Sequence, residues 1–213
     1  MKKLFIVRHA HTTDNQEKRF SGLSDCVLSD VGIQQAQALK EYLKKLNIDR
    51  IYTSTLKRTV QTIEEFACEE NLEINKLDGL KEMDFGDFDM LTFQEVSEKF
   101  PDEIEMLFSG DSTYTFPNGE CLNDMFERNV IALENILVEC DEVDNVLLCI
   151  HMGTIRNLIS YLLTKNNELH WSFSIQNAAV SCFEFYDGFP ILSKMGHIPY
   201  DESLIRSLYN EQD

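Results

Sequence analysis

Long apolar runs, prolines and basic residues are all scarce in this 213-residue sequence. Its longest uninterrupted apolar stretch is "VLLCI", residues 146–150, far short of the roughly 20 residues that a membrane-spanning helix needs. The opening "MKKLFIVRHA" has only four consecutive apolar residues before Arg8, too few for a secretory h-region. Four prolines, no Gly/Ser-rich tract and no internal repeat argue against linkers and repeat architectures. Nineteen Lys and Arg face 37 Asp and Glu, a formal charge of −18, so neither nucleic acid nor an anionic membrane suits this chain as a partner. Any anionic ligand requires a local basic pocket. The six cysteines contain no CxxC pair, and this pattern predicts reduced thiols in a cytoplasmic protein.

What is present is 43% apolar content over a length suited to one α/β domain, expected here to span residues 1–213. Residues 3–8, 50–54, 72–77 and 145–151 read as strands, and "AVSCFEFYD" and "PILSKM" as strands at or near a sheet edge. Between them, apolar residues recur at helical spacing. Ser29 is a plausible N-cap ahead of Ile33, Ala36, Leu39, Leu43 and Leu46, and Leu122, Phe126, Val130, Leu133 and Leu137 mark a long helix. Shorter helices are expected near 57–67, 92–100 and 154–163, whereas residues 100–120 carry no clear pattern. Alternation of strand and helix predicts a three-layer α/β/α sandwich around a mostly parallel sheet. In such sheets ligands collect beyond the carboxyl ends of the strands.

Polar residues stand at those ends: Arg8 and His9 after the first strand, Ser54 after the second, and His151 after "VLLCI". By itself, an Arg-His pair at a strand end is compatible with a structural role. The His9-x-His11 spacing with Asp14 nearby suggests half a metal site, but no HExxH or carboxylate cluster accompanies it. Cys149 and Arg156 are separated by six residues, one more than a cysteine phosphatase loop has, and Cys149 falls within a strand pattern.

Six segments taken together, "LFIVRHAHTTDN", "RFSGLSDCVLSDVGIQQAQAL", "IYTSTLKRTVQT", "LKEMDFGDF", "FPNGECLNDMFER" and "LLCIHMGTIRNLI", resemble in order and spacing the histidine phosphatase superfamily, which includes the phosphoglycerate mutases. The resemblance implies a phosphoglycerate mutase-like fold and phosphoryl transfer without metal or other cofactor. It implies that His9 is the nucleophile, that Arg8 and Arg58 hold phosphoryl oxygens, and that His151 stabilises the pentacoordinate phosphorus. Glu82 matches the general acid, a role that needs its pKa raised above the usual value of about 4.3. Asn15, Ser21, Gly22 and Thr12 match substrate-binding positions, and Arg156 matches a bracing residue. Departures from the family pattern are Ala10 in place of glycine, Met152 within His-Gly-Gly, Asp89-Met90 in place of Glu-Gly, and "NGEC" in place of GES.

The length and the "FPNGECLNDMFER" segment resemble the phosphatase branch, including α-ribazole phosphatase, which implies hydrolysis of a small phosphate monoester. The alternatives are a 2,3-bisphosphoglycerate-dependent phosphoglycerate mutase and a catalytically inactive phosphate-binding protein. The sequence does not define the oligomeric state.

Overall fold

The structure, a computed structural model, describes residues 1–205; the last eight residues of the expected domain lie outside the described part. A six-stranded sheet has the order β3-β2-β4-β1-β5-β6. Its strands are β1 (Lys3–Arg8), β2 (Arg50–Thr53), β3 (Ile74–Lys76), β4 (Asn145–Ile150), β5 (Val180–Tyr186) and β6 (Phe189–His197). β1, β2, β3 and β4 are mutually parallel; β5 pairs antiparallel with both β1 and β6, so it alone runs against the other five. The sheet is therefore mixed, with the antiparallel pairings confined to the side carrying the late strands.

Among the described residues the α-helices bounded at both ends are α1 (Thr13–Gln16), α2 (Asp30–Leu43), α3 (Lys57–Glu69), α4 (Phe93–Lys99), α5 (Ile104–Leu107), α6 (Leu122–Glu139) and α7 (Met152–Thr164). Successive side chains of a strand point to opposite faces, and the central strands divide their residues accordingly. Leu4, Ile6, Val146, Leu148 and Ile150 pack with Leu133 and Ile136 of α6 and with Ile155, Leu158 and Ile159 of α7. Phe5, Val7, Leu147 and Cys149 pack with Leu39 and Leu43 of α2 and with Ile63 and Phe66 of α3. Strands covered on both faces need apolar residues at every position, which is why they read as continuous runs.

Ser29 caps α2 by accepting the Gly32 amide, as the sequence suggests. The helix ends at Leu43, earlier than the apolar spacing through Leu46 implies, with Lys44 at its cap. A third cluster, of Met83, Phe88, Val96, Phe116, Leu122 and Met125, lies beneath the irregular excursion between β3 and α6. There the patternless stretch forms short turns, α5 and a bridge between Thr115 and Cys121. All six cysteines are free. Among the described residues, no helix is long and apolar enough to cross a membrane.

Candidate active site

Topology alone brings three polar residues together. β4 lies between β1 and β2, and its register pairs Arg8 with Ile150 and Thr53 with Cys149. The residues that follow, His9, Ser54 and His151, thus leave the sheet along one edge. The rings of His9 and His151 are 5.3 Å apart, centroid to centroid.

Hydrogen bonds fix both imidazole tautomers. Nδ1 of His9 lies 2.8 Å from the Ala10 carbonyl oxygen; a carbonyl only accepts, so Nδ1 carries the hydrogen and Nε2 keeps its lone pair. Arg58 Nε donates to Nδ1 of His151 at 3.2 Å, so the hydrogen of that ring sits on Nε2, which donates to Ser54 Oγ at 2.8 Å. Burial, followed by the charges of Arg58 and Arg8, holds His9 well below the usual imidazole range. Burial, Arg58 and the neighbouring His9 do the same to His151.

The two arginines differ. Arg8 donates from Nη1 to the Ile175 carbonyl at 2.8 Å, while its Nε is the buried side-chain nitrogen left without a partner among the described residues. Burial pushes its pKa down to about 10 against the opposing charge of Glu82. Arg58, at the start of α3, is completely buried. Besides His151 it serves the carbonyls of Ser24 at 3.0 Å, Ser21 at 3.2 Å and Gly22 at 2.7 Å. The loop at 21–24 is held from its other side by Asp89, which accepts from the Gly22 amide and from the amide and hydroxyl of Ser24. In this structure the Gly22 amide is therefore occupied. The Ser21 hydroxyl donates to Asp14.

Thr12 and Asn15 cap α1 reciprocally: Thr12 Oγ1 accepts from the Asn15 amide and Asn15 Oδ1 from the Thr12 amide. Asn177 donates to Asn15 Oδ1 at 3.1 Å and to the His9 carbonyl at 3.0 Å. With Oδ1 accepting twice, the Asn15 amide nitrogen is turned the other way.

Glu82 is buried, its Oε1 accepting from its own Met83 amide at 2.9 Å and its Oε2 from the Gly153 amide at 3.1 Å. A Cβ on residue 153 would stand 2.3 Å from Glu82 Oε1, so the glycine leaves the carboxylate room to reach the Gly153 amide. Arg128 of α6 holds the loop beneath, donating to the carbonyls of Lys81 and Glu82 at 2.8 and 2.7 Å, and it pairs with Glu120. Glu120 also accepts the Asp84 amide. These contacts give the "FPNGECLNDMFER" segment a physical role: its acid and its base clamp the Glu82 loop.

Ala10 has an ordinary negative φ, so no glycine-only geometry is needed there; its methyl packs in the core and its amide donates to Thr62. The His9-x-His11 pair diverges, with His11 bonded to Ser29. Among the described residues, no three potential metal ligands come together. Ser54, Asn177, Asp89 and the Glu120–Arg128 pair are absent from the sequence-based site. Ser54 was visible as a strand end and the Glu120–Arg128 pair lay inside a family-like segment. Asn177 carried no signal.

Three parallel strands deliver two histidines with lowered pKa values beside a buried arginine, a half-buried arginine and a buried glutamate, a set of groups suited to phosphoryl transfer. Comparison with known proteins makes the class specific. Residues 4–197 match the histidine phosphatase superfamily (branch 1), and the chain belongs to that family. It is 32% identical over 195 residues to phosphoserine phosphatase 1 of Hydrogenobacter thermophilus, covering 92% of each chain. It is 30% identical over 167 residues to the Gallus gallus 6-phosphofructo-2-kinase/fructose-2,6-bisphosphatase, a match covering 78% of this chain but 33% of that longer protein. Among solved structures, the α-ribazole phosphatase of Shigella flexneri superposes with a TM-score of 0.85 at 25% identity, covering 93% of this chain and 99% of that one. The phosphoserine phosphatase of Entamoeba histolytica, in complex with phosphoserine, gives 0.78 at 26%, covering 92% and 97%. The family and these relatives support phosphatase activity for the chain.

Proposed function

We propose that this protein hydrolyses a small phosphate monoester without a metal, through a phosphohistidine on His9. The observation that carries this reading is the Nδ1 bond to the Ala10 carbonyl, which leaves a neutral ring with its Nε2 lone pair free, 5.3 Å from His151. In the first step Nε2 attacks phosphorus as the bond from phosphorus to the ester oxygen breaks, and Glu82 passes its proton to the departing alkoxide. In the second step water attacks phosphorus, its proton goes to the Glu82 carboxylate, and the P–N bond breaks to return neutral His9.

Phosphoryl oxygens satisfy the orphan Nε–H of Arg8. Arg58 acts through its field, and its direct contact with the phosphoryl group requires an N–H to leave a carbonyl of the 21–24 loop or the more weakly held Cys26 sulfur. His151 opposes His9 across the transferring group, held by Ser54. The Asn15 amide nitrogen supplies a further donor, while Ser21, Gly22 and Thr12 shape the loop and helix start.

The test is steady-state hydrolysis of an aryl phosphate with EDTA present. Turnover that is insensitive to EDTA and lost in His9→Ala supports the reading. Turnover that needs a divalent cation, or that persists in His9→Ala, refutes it.

A further inference from the structure

The steps above use the sheet edge but leave unused a cavity of about 300 Å³, which adjoins it at Glu82 and Gly153. His9 does not line this space, whereas the proposed proton donor does, so the space lies on the side where the ester oxygen departs. Its walls are mainly apolar, with the rings of Phe20, Phe85, Tyr114, Phe116 and Trp171 among them. Met83, Met125 and Met152 supply flexible sulfur-containing surface that adapts to differently shaped ligands.

Fixed charge is sparse. Arg156 is the one Lys or Arg on the wall; its hydrogen bond is from Nε to the Phe173 carbonyl, and it stacks 5.3 Å from the Trp171 ring. His170 is held neutral, its pKa pushed down to about 4 by burial and by Arg156, and its Nδ1 pairs with Asn157. The Tyr114 hydroxyl is spent on Glu103 at 2.9 Å.

Resting on the hydrolase reading, we propose that this cavity receives the alcohol portion of the substrate and that the substrate class is a phosphate monoester of a bulky apolar alcohol, aromatic or long-chain. A compact zwitterion such as phosphoserine brings an ammonium and a carboxylate into a space whose charged side chains are Arg156, Glu82 and the exposed Asp111, the last already bonded to Thr113, with rings, leucines and thioethers making up most of the rest. Charged groups buried without partners are strongly disfavoured. A sugar bisphosphate requires a second set of cations, and the wall has only Arg156. An apolar alcohol therefore suits this wall better than either of those two, although the sheet edge suits the phosphoryl group of any monoester.

Trp171, the only tryptophan in the chain, reports on occupancy directly. The wild-type protein would be titrated with non-hydrolysable n-alkylphosphonates from methyl to octyl, following Trp171 fluorescence, with phosphonoserine and inorganic phosphate alongside. Filling the cavity predicts a blue shift and a Kd that tightens about fourfold per added methylene over the first several members. Leu107→Glu, at the half-buried rim on α5, should flatten that dependence. A Kd independent of chain length, or tighter binding of phosphonoserine than of the hexyl compound, overturns the proposal. In parallel, kcat/KM for the matching alkyl phosphates separates the two claims. Turnover without chain-length dependence removes the apolar pocket and leaves the hydrolase reading intact; chain-length-dependent binding without turnover does the reverse.

Discussion

The sheet edge and the excursion between β3 and α6 are built on opposite plans. At the edge, His9, Ser54 and His151 follow three hydrogen-bonded parallel strands, and nearly every polar atom is committed to a named partner. In the excursion, short turns and the small helices α4 and α5 carry aromatic and methionine side chains that are tied to one another by ring packing, as between Phe85, Phe88 and Phe116, beside open space. The first region fixes the geometry of a reaction that tolerates little displacement. The second is held by apolar packing, so the proposed chemistry and the proposed choice of substrate fall to different regions. Their physical link is the Glu82 loop, clamped by Arg128 and Glu120 and reaching Gly153 at the head of α7.

The sharpest break in the comparison is expected at the edge. His9→Ala should lower kcat by roughly 10⁴-fold or more, while Tyr114→Phe in the excursion changes kcat by less than about threefold, since it removes only the bond to Glu103; steady-state kinetics on one aryl phosphate compares them. Glu82→Gln should cost about 10²- to 10⁴-fold with an alkyl phosphate and much less with a nitrophenyl phosphate, whose leaving group needs no proton. Equal losses on both substrates remove Glu82 from the acid role. Arg128→Met should reproduce that leaving-group dependence at about tenfold, because it loosens the Glu82 loop without removing the carboxyl group, and restoring the charge with Arg128→Lys should recover part of the rate.

Smaller effects separate the regions in stability. Ser54→Ala leaves the Nε2–H of a completely buried His151 unpaired and should cost about 1–3 kcal/mol in denaturant unfolding. pH sharpens the same contrast. His9, His11, His151 and His170 are buried with pKa values held below the unfolded range, to about 4 for His11 and His170. Below about pH 6.5 the unfolded chain takes up protons that the folded chain refuses, so stability is full above that pH and falls as pH drops toward the folded values. Each histidine contributes up to ~1.4 kcal/mol per pH unit in that window. Because His9 is held well below the usual imidazole range, the acid limb of kcat/KM should follow the second ionisation of the substrate near pH 6.

Legibility in the sequence divides along the same line. Doubly covered strands such as "VLLCI" advertise themselves by unbroken apolar runs, and the polar residue that ends each run marks the ligand edge; the six-segment resemblance then assigned roles to those residues. Local pattern does not reveal which partners hold them. Asn177 reaches Asn15 across 162 positions and Asp89 reaches Gly22 across 67, contacts that exist only once the sheet is assembled. Residues 100–120 stayed unreadable because their order comes from packing on the Met83, Phe88 and Phe116 cluster and not from any helical or strand period. Arg58, expected as a phosphate ligand, is in this structure the post on which the 21–24 loop is hung.

The most direct test is to quench a reaction with a ³²P-labelled monoester and to locate the label on the protein. A covalent adduct that survives alkali, is lost in acid, maps to His9 and is absent from His9→Ala is the result expected. An adduct that survives acid but not alkali, or one that forms unchanged in His9→Ala, would contradict the account.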